Sequence, residues 1–332
     1  MRRAIRFGND YAAYKKIKQI IEEFKPDIVH THASKAGTLG RMAAFSCNVP
    51  AVVHTFHGHV FHSYFSKAKT TVFKRIEKKL AEKSSAIVAI SDIQKEELAN
   101  IHKITTPDKI EVIPLGFDLQ RFQTDLDKKR ELFRNEYQIS DNEIAIGIIG
   151  RLVPIKNHKF FLEALKKVLQ KTNKKVRAFI VGDGESKENI IALAQELNIE
   201  YSQSNIAFKK TPLTFTSWIK NIDVVNAGID IIALSSLNEG TPVSLIEAQA
   251  CNNPVISTNV GGIENVIING KTGFLSDIND VENYAKNLLE LIENDSKRNE
   301  MKKNGWNHVR QRFSYKRLVG DIDNLYKKLL EK

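Results

Sequence analysis

Short runs rich in β-branched and aliphatic residues alternate along most of the chain with longer stretches whose apolar positions recur every three or four residues. The short runs predict strands at Asp27–His32, Ala51–Thr55, Ala86–Ser91 and Ile110–Pro114. The longer stretches predict helices over Tyr11–Phe24, Lys35–Ser46, Lys67–Lys83 and Asp92–Ala99. A second series of strands is predicted at Glu143–Ile149, Arg177–Val181, Pro212–Phe215, Ile229–Leu234, Pro254–Ser257 and Gly273–Leu275, separated by helices such as His158–Lys171, Glu188–Leu197 and Val243–Cys251. Strands with so little polar alternation are expected to be covered on both faces, which is the pattern of parallel sheets flanked by helices.

The series breaks after Ile113-Pro114-Leu115-Gly116-Phe117-Asp118, where a charged stretch from Asp125 to Asn142 precedes a fresh strand. The expected fold is therefore α/β, with two doubly wound, Rossmann-like lobes over residues 1–120 and 121–313. Residues 314–332 form a last helix with apolar positions at Leu318, Ile322, Leu325 and Leu329, a candidate to return to the first lobe. At about 150 residues per domain, a length of 332 agrees with two lobes. In open α/β sheets ligands bind at the carboxyl ends of the strands, so the loops there are the places to look for chemistry.

Composition narrows the classes. With 42% apolar and 27% charged residues the chain can bury a full core. No run approaches the ~20 apolar residues of a membrane span, and the start, MRRAIRFGNDYAAYKK, lacks an apolar signal core. Cys47 and Cys251 are too far apart to suggest a disulfide framework or a metal motif, which suits a reducing cytoplasm. The net charge of +11 favours anionic partners (nucleic acid, anionic lipid headgroups, phosphorylated small molecules) or else reflects a lysine-rich solvated surface. The basic runs lack interleaved aromatics and no nucleic-acid motif is present, so nucleic acid is not an expected partner.

The richest segment runs from Leu237 to Glu247 (LNEGTPVSLIE), directly after the apolar strand Ile229–Leu234. Thr241 is a good N-cap and Pro242 suits the first helical position, so the free amides at this helix start form an anion site. Glu247 lies about 7.5 Å along the helix from Pro242, and Glu239 stands just ahead of it. Two carboxylates flanking a phosphate site would fit a diphosphate between two hydroxyl-rich sugars; the alternative is a capping motif with an ordinary surface glutamate. After the strand ending at Ile149, Gly150-Arg151-Leu152-Val153-Pro154-Ile155-Lys156 places two cations where they can clamp phosphate oxygens. A third strand-end turn, Gly182-Asp183-Gly184-Glu185, is too short for a dinucleotide fingerprint.

Arg151 with Lys156, Glu239 and Glu247 separated by seven residues, Asn259-Val260-Gly261-Gly262-Ile263 and Asn269-Gly270-Lys271-Thr272-Gly273-Phe274 resemble the donor half of glycosyltransferase family 4, retaining enzymes of the GT-B fold. Pro26-Asp27-Ile28-Val29-His30-Thr31-His32, Ser34-Lys35-Ala36-Gly37 and Thr55-Phe56-His57-Gly58 resemble its bacterial capsule, O-antigen and exopolysaccharide members. The resemblance runs from about residue 26 to 330. It implies two lobes facing each other across a cleft, and transfer of a sugar from a nucleotide-sugar, most commonly UDP-linked, to a saccharide or lipid-linked acceptor. The nucleotide-sugar is a co-substrate, and neither a further cofactor nor a metal is expected. The localisation implied is cytoplasmic, peripheral at the inner face of the plasma membrane.

The same resemblance implies the roles of residues. Arg151 and Lys156 would hold the diphosphate, Glu239 the transferred sugar and Glu247 the ribose, with Gly182, Gly240, Thr241, Pro242 and Val243 completing the donor site. His57 would stand near the anomeric carbon, forming the catalytic set with Arg151, Lys156 and Glu239. Lys35, Gly37 and His57 would lie on the acceptor side, and Gly261 and Gly262 would permit close backbone approach. The resemblance also implies transfer with retention of configuration, the leaving diphosphate assisting removal of the acceptor's proton; a double displacement would need a carboxylate nucleophile, and none can be nominated in the first lobe. A non-enzymatic nucleotide-sugar-binding remnant and an epimerase-like relative are the other readings.

Three features of the first lobe stand apart. A complete first lobe of the family opens with a strand and a glycine-rich loop, whereas this chain opens on a helix; the lobe is expected to be incomplete, with about four strands and an open sheet edge. Six of the nine histidines fall between His30 and His62. His30 and His32 share a strand face, which suits a metal, but no Cys or carboxylate completes a signature, so packing is the favoured reading. The aromatic loop Phe56 to Phe65 either grips a lipid-linked acceptor, touches an anionic membrane surface, or packs beneath the following helix.

Overall fold

The computed structural model describes residues 7–57, 67–204, 206 and 209–331. In chain order its elements are α1 (Phe7–Phe24), β1 (Ile28–His32), α2 (Ser34–Ser46), β2 (Ala51–Phe56), α3 (Lys67–Lys83), β3 (Ala86–Ala89), α4 (Asp92–Glu96) and β4 (Ile110–Val112), then α5 (Leu126–Glu136), β5 (Glu143–Ile149), α6 (His158–Lys171), β6 (Lys175–Val181), α7 (Lys187–Glu196), β7 (Tyr201–Gln203), β8 (Leu213–Ser217), α8 (Ile222–Gly228), β9 (Ile231–Leu234), α9 (Val243–Ala250), β10 (Val255–Thr258), β11 (Gly273–Ser276), α10 (Val281–Glu293), α11 (Asp295–Arg312) and α12 (Tyr315–Leu330). The chain divides into two compact units, Met1–Gly116 with Tyr315–Lys332, and Phe117–Ser314.

The first unit carries a parallel sheet in the order β1-β2-β3-β4. Successive side chains of a strand point to opposite faces, and the packing follows that alternation. Val53 on β2 and Ala86 and Val88 on β3 lie against Leu318, Ile322, Leu325 and Leu329, so the four apolar positions read from the last helix are the ones that seat α12 on this unit. Val52 packs instead with Ile21 of α1 and with Ala43 and Ala44 of α2. Ile87 and Ala89 join Phe56, Ala81 and Leu98 in a third cluster. Phe56 is thus a core residue; Phe61, Tyr64 and Phe65, with His59 and His62, lie outside the described residues.

The second unit holds a seven-stranded parallel sheet ordered β11-β10-β9-β5-β6-β8-β7. Its two faces are covered by separate clusters, one built on Phe161, Leu165 and Leu288 and the other on Phe133, Leu245 and Val309. Two elements depart from the sequence reading. Strand β7 was not anticipated, because three residues carry too short a pattern. The charged stretch from Asp125, read as a break, forms α5: Phe133 is buried, and Arg130 and Arg134 both reach Asp230 at 2.8 and 3.2 Å, the same carboxylate that accepts the Ala145 amide at 2.8 Å. Charge there marks a helix tied to the sheet.

The first unit also buries an ion pair. Arg41 of α2 (0% exposed) meets Glu77 of α3 (3% exposed) at 2.5 Å and donates through Nε to the Gly37 carbonyl at 3.1 Å, while its second terminal nitrogen has no partner. Burial lowers the pKa of Arg41 and raises that of Glu77, in each case against the partner's attraction. Removing one member would strand the other in a dry site. Glu77→Ala should therefore cost about 3–5 kcal/mol in urea denaturation, whereas the double replacement Arg41→Met with Glu77→Leu should recover most of that loss.

Candidate active site

In the second unit, β9 lies beside β5 and β5 beside β6, so the loops at their carboxyl ends are neighbours. Backbone bonds lace them together: Gly150 N–H to Val181 O at 3.0 Å, Leu152 N–H to Asp183 O at 3.0 Å and Leu237 N–H to Ile155 O at 2.8 Å. Gly182, at φ 145°, is required by this closeness, since a Cβ there would stand 1.9 Å from the Gly150 oxygen. Asp183 completes the turn by accepting from the Gly184 amide at 2.8 Å and the Ser217 hydroxyl at 2.9 Å; these bonds hold its carboxyl below the usual range.

Arg151 is exposed immediately after this lacing. Lys156 ends a 3₁₀ turn and forms an ion pair with Glu239 at 2.5 Å; the Ser236 hydroxyl donates to the same Glu239 oxygen at 2.6 Å, and Ser235 donates to the Lys156 carbonyl at 2.9 Å. Lys156 and Glu239, 83 positions apart in sequence, are thus brought into one cluster. The two serines were missed by the sequence reading, although a Ser-Ser pair at the carboxyl end of an apolar strand is a usable signal. Gly262 fixes the far side: its N–H donates to Glu239 O at 2.9 Å, and a Cβ on it would stand 1.8 Å from the Gly240 oxygen.

The helix start after Glu239 differs from the expectation. Pro242, not Thr241, is the N-cap of α9, Val243 is the first helical residue, and no side chain caps the end. Thr241 lies one residue too early for its hydroxyl to serve; the Leu245 and Ile246 amides donate to the Pro242 carbonyl, which leaves those of Val243 and Ser244 for an anion. Glu247 is half-buried on α9, and burial raises its carboxyl pKa against the attraction of Arg121, with Asp223 adding repulsion.

In the first unit, β1 and β2 pair with His30 opposite Val53, Thr31 opposite His54 and His32 opposite Thr55. His30 is bonded at both ring nitrogens, Nδ1 to Tyr326 Oη and Nε2 to Thr55 Oγ1, each at 2.7 Å. Thr31 Oγ1 meets His54 Nδ1 at 2.8 Å, and His32 Nδ1 meets His57 Nε2 at 2.8 Å. His30 therefore has no nitrogen left for a metal, and no group of three or more His, Cys, Asp or Glu among the described residues is placed to hold one. Gly37 is buried against His54, where a Cβ would fall 2.3 Å from the ring. Lys35 sits in the first turn of α2 and pairs with Asp10 of α1 at 2.6 Å. Lys35, expected on the acceptor side, thus already has a carboxylate partner.

Residues 129–308 match the family described as Glycosyl transferases group 1, and residues 2–121 match Glycosyltransferase Family 4. The chain belongs to glycosyltransferase family 4. An Escherichia coli relative, UDP-Gal:alpha-D-GlcNAc-diphosphoundecaprenol alpha-1,3-galactosyltransferase, is 33% identical over 325 residues, covering 98% of this chain and 81% of that protein. The capsular polysaccharide biosynthesis glycosyltransferase CapM of Staphylococcus aureus is 26% identical over 337 residues, covering 100% and 84%. Among solved structures, Anabaena Alr3699/HepE in complex with UDP matches with a TM-score of 0.81 at 22% identity, over 95% of this chain and 82% of that one. That likeness is one of fold, and with the family match it makes this chain a GT-B glycosyltransferase.

Four histidines of the first unit, His30, His32, His54 and His57, have lowered pKa values. Burial first, then neighbouring rings, lowers His30 to about 4; burial with the charge of Arg41 lowers His54 to about 2; and partial burial lowers His32 and His57. The unfolded chain takes up these protons near pH 6.5 while the folded chain does not, so stability is full above that pH and is lost as pH falls toward the folded values. The urea midpoint should accordingly drop between pH 6.5 and 5, above the range in which most carboxylates titrate. A flat midpoint across that window would show that the rings are not buried neutral.

Proposed function

We propose that this chain transfers a sugar, with retention of configuration, from a UDP-linked donor to a lipid-diphosphate-linked saccharide in the synthesis of a bacterial surface polysaccharide. The observation that carries the reading is the Lys156–Glu239–Ser236 cluster beside Arg151 and an uncapped helix start, in a chain one-third identical to an enzyme named for UDP-Gal and a GlcNAc-diphospholipid. Arg151, Lys156 and the α9 amides take the diphosphate, and Glu239 turns from Lys156 to the hydroxyls of the transferred sugar. Glu247 receives the ribose hydroxyls, a polar ligand that suits a half-buried carboxylate. His57 acts at the transferred sugar. Cations fixed on the departing diphosphate stabilise the charge that develops as the glycosidic bond breaks, and the diphosphate takes the acceptor's proton.

A lipid-linked acceptor calls for a membrane surface, and no helix among the described residues is long and apolar enough to cross one. Helix α3 offers the alternative: Val72 and Ile76 are exposed on the same face as Arg75, Lys79 and Lys83. Apolar residues framed by cations fit an anionic bilayer at the cytoplasmic face.

Two experiments test the reading. In the presence of chelator, UDP at 100 times its dissociation constant should stabilise the chain by about 2.7 kcal/mol, read as a thermal shift. The shift should vanish in Arg151→Ala and in Glu247→Ala; a well-folded protein that responds to no nucleotide would overturn the donor assignment. The chain should also co-sediment with phosphatidylglycerol vesicles but not with neutral phosphatidylcholine, and Arg75→Glu with Lys79→Glu should release it.

A further inference from the structure

We propose that His32 is the positioning residue of His57, holding it in one ring tautomer through a bond from Nδ1 to Nε2. This rests on the reading of His57 as the first unit's reacting group. His57 is exposed and follows the end of β2, so β-sheet pairing does not orient its ring. The contact that does is His32 Nδ1 at 2.8 Å from His57 Nε2, with the rings 5.1 Å apart. His32 is itself held. Its ring stacks on His30 at 4.4 Å and 27°, and His30 cannot turn without breaking its bonds to Tyr326 and Thr55. The register explains the stack: His30 and His32 are two apart on β1 and point to one face, the face shared with Thr55 and α12. The backbone next to His32 carries strain as well, since Ala33 has φ 63° and ψ 154°, a conformation that L residues rarely adopt.

A bond between two imidazoles needs a single N–H, supplied by one ring and accepted by the other. Either way His57 Nε2 is committed, Nδ1 is its atom left for substrate, and the character of Nδ1 is set by what His32 does. Where His32 donates, His57 Nδ1 carries the proton and donates to the sugar; where His57 donates, Nδ1 is an acceptor. Protonating both rings destroys the bond and places two cations together. The titratable groups that act on or through the pair are His30 on β1, which bonds Tyr326 of α12, and His54 on β2, which also feels Arg41 of α2. Burial lowers the pKa of both His32 and His57, and the facing His32 ring lowers His57 further, which favours the neutral state of the pair.

The contact goes through Nδ1, and that makes a sharp test possible. An asparagine amide falls where a histidine Nδ1 stands, whereas a glutamine amide falls where Nε2 stands. Long-range ¹H–¹⁵N spectra of the imidazoles should show one His57 tautomer in the native chain and in His32→Asn. A mixture is expected in His32→Gln and His32→Ala. With UDP-galactose and a GlcNAc-diphosphoalkyl acceptor, the Gln and Ala variants should lose roughly tenfold in kcat, the worth of one hydrogen bond. Their acid limb should move toward neutral pH, because His57 no longer faces a second ring, and His32→Asn should keep the native limb. One tautomer and an unmoved pH profile in folded His32→Ala would overturn the proposal. His57→Ala separates the two readings: full turnover in that variant would remove His57 from the reaction, while the spectra would still decide whether His32 orients it.

Discussion

The close approach of three strand-end loops is the constraint on which the second unit depends. Parallel pairing puts β9, β5 and β6 side by side, but that alone leaves their loops free to diverge. Backbone bonds at Gly150, Leu152 and Leu237 prevent this; the missing Cβ of Gly182 permits the close approach, and that of Gly262 lets the segment after β10 reach the β9 loop as well. Only with the loops so close can Lys156 and Glu239 share one bond. The pair fixes both side chains at the carboxyl ends of neighbouring strands, where ligands of open α/β sheets bind.

The first unit solves a different problem, the orientation of a side chain beyond the end of a strand. Its answer is a stack. Tyr326 and Thr55 hold His30, His30 supports His32, and His32 reaches His57. The C-terminal helix is part of that answer, since Tyr326 comes from α12 while Leu325 packs against Val53 and Val88. A helix about 300 residues away in sequence from β1 thereby fixes a ring on it. Neutral imidazoles suit the arrangement, because a charge on one ring would repel a charge on the next.

Buried charges recur as fasteners in both units. Arg41 with Glu77 joins α2 to α3, and Asp230 collects Arg130, Arg134 and the Ala145 amide to join α5 to the sheet. Neither site is a strong source of stability, because desolvation opposes the attraction within each. Both are geometrically demanding, and they hold helices whose apolar faces alone would leave their rotation loosely set.

Much of this was legible in the chain. Local alternation and helical period located nearly every strand within a few residues, and Leu318, Ile322, Leu325 and Leu329 announced the face of α12. The motif around Glu239 and Glu247, with Arg151 and Lys156, named the family before any contact was known. Other features depended on partners distant in sequence. The sequence showed that Glu239 and Lys156 were both present, not that they would bond; it showed Lys35 near a strand end, not that Asp10 would meet its charge. It marked six clustered histidines, while register and face decided that His30 would turn to Tyr326 and His32 to His57. Periodicity is a property of neighbours along the chain, so the sequence determined which residues form elements and which face of each is apolar. Which strands lie side by side is set by long-range pairing, and so only the tertiary structure decided which polar groups at their ends would meet.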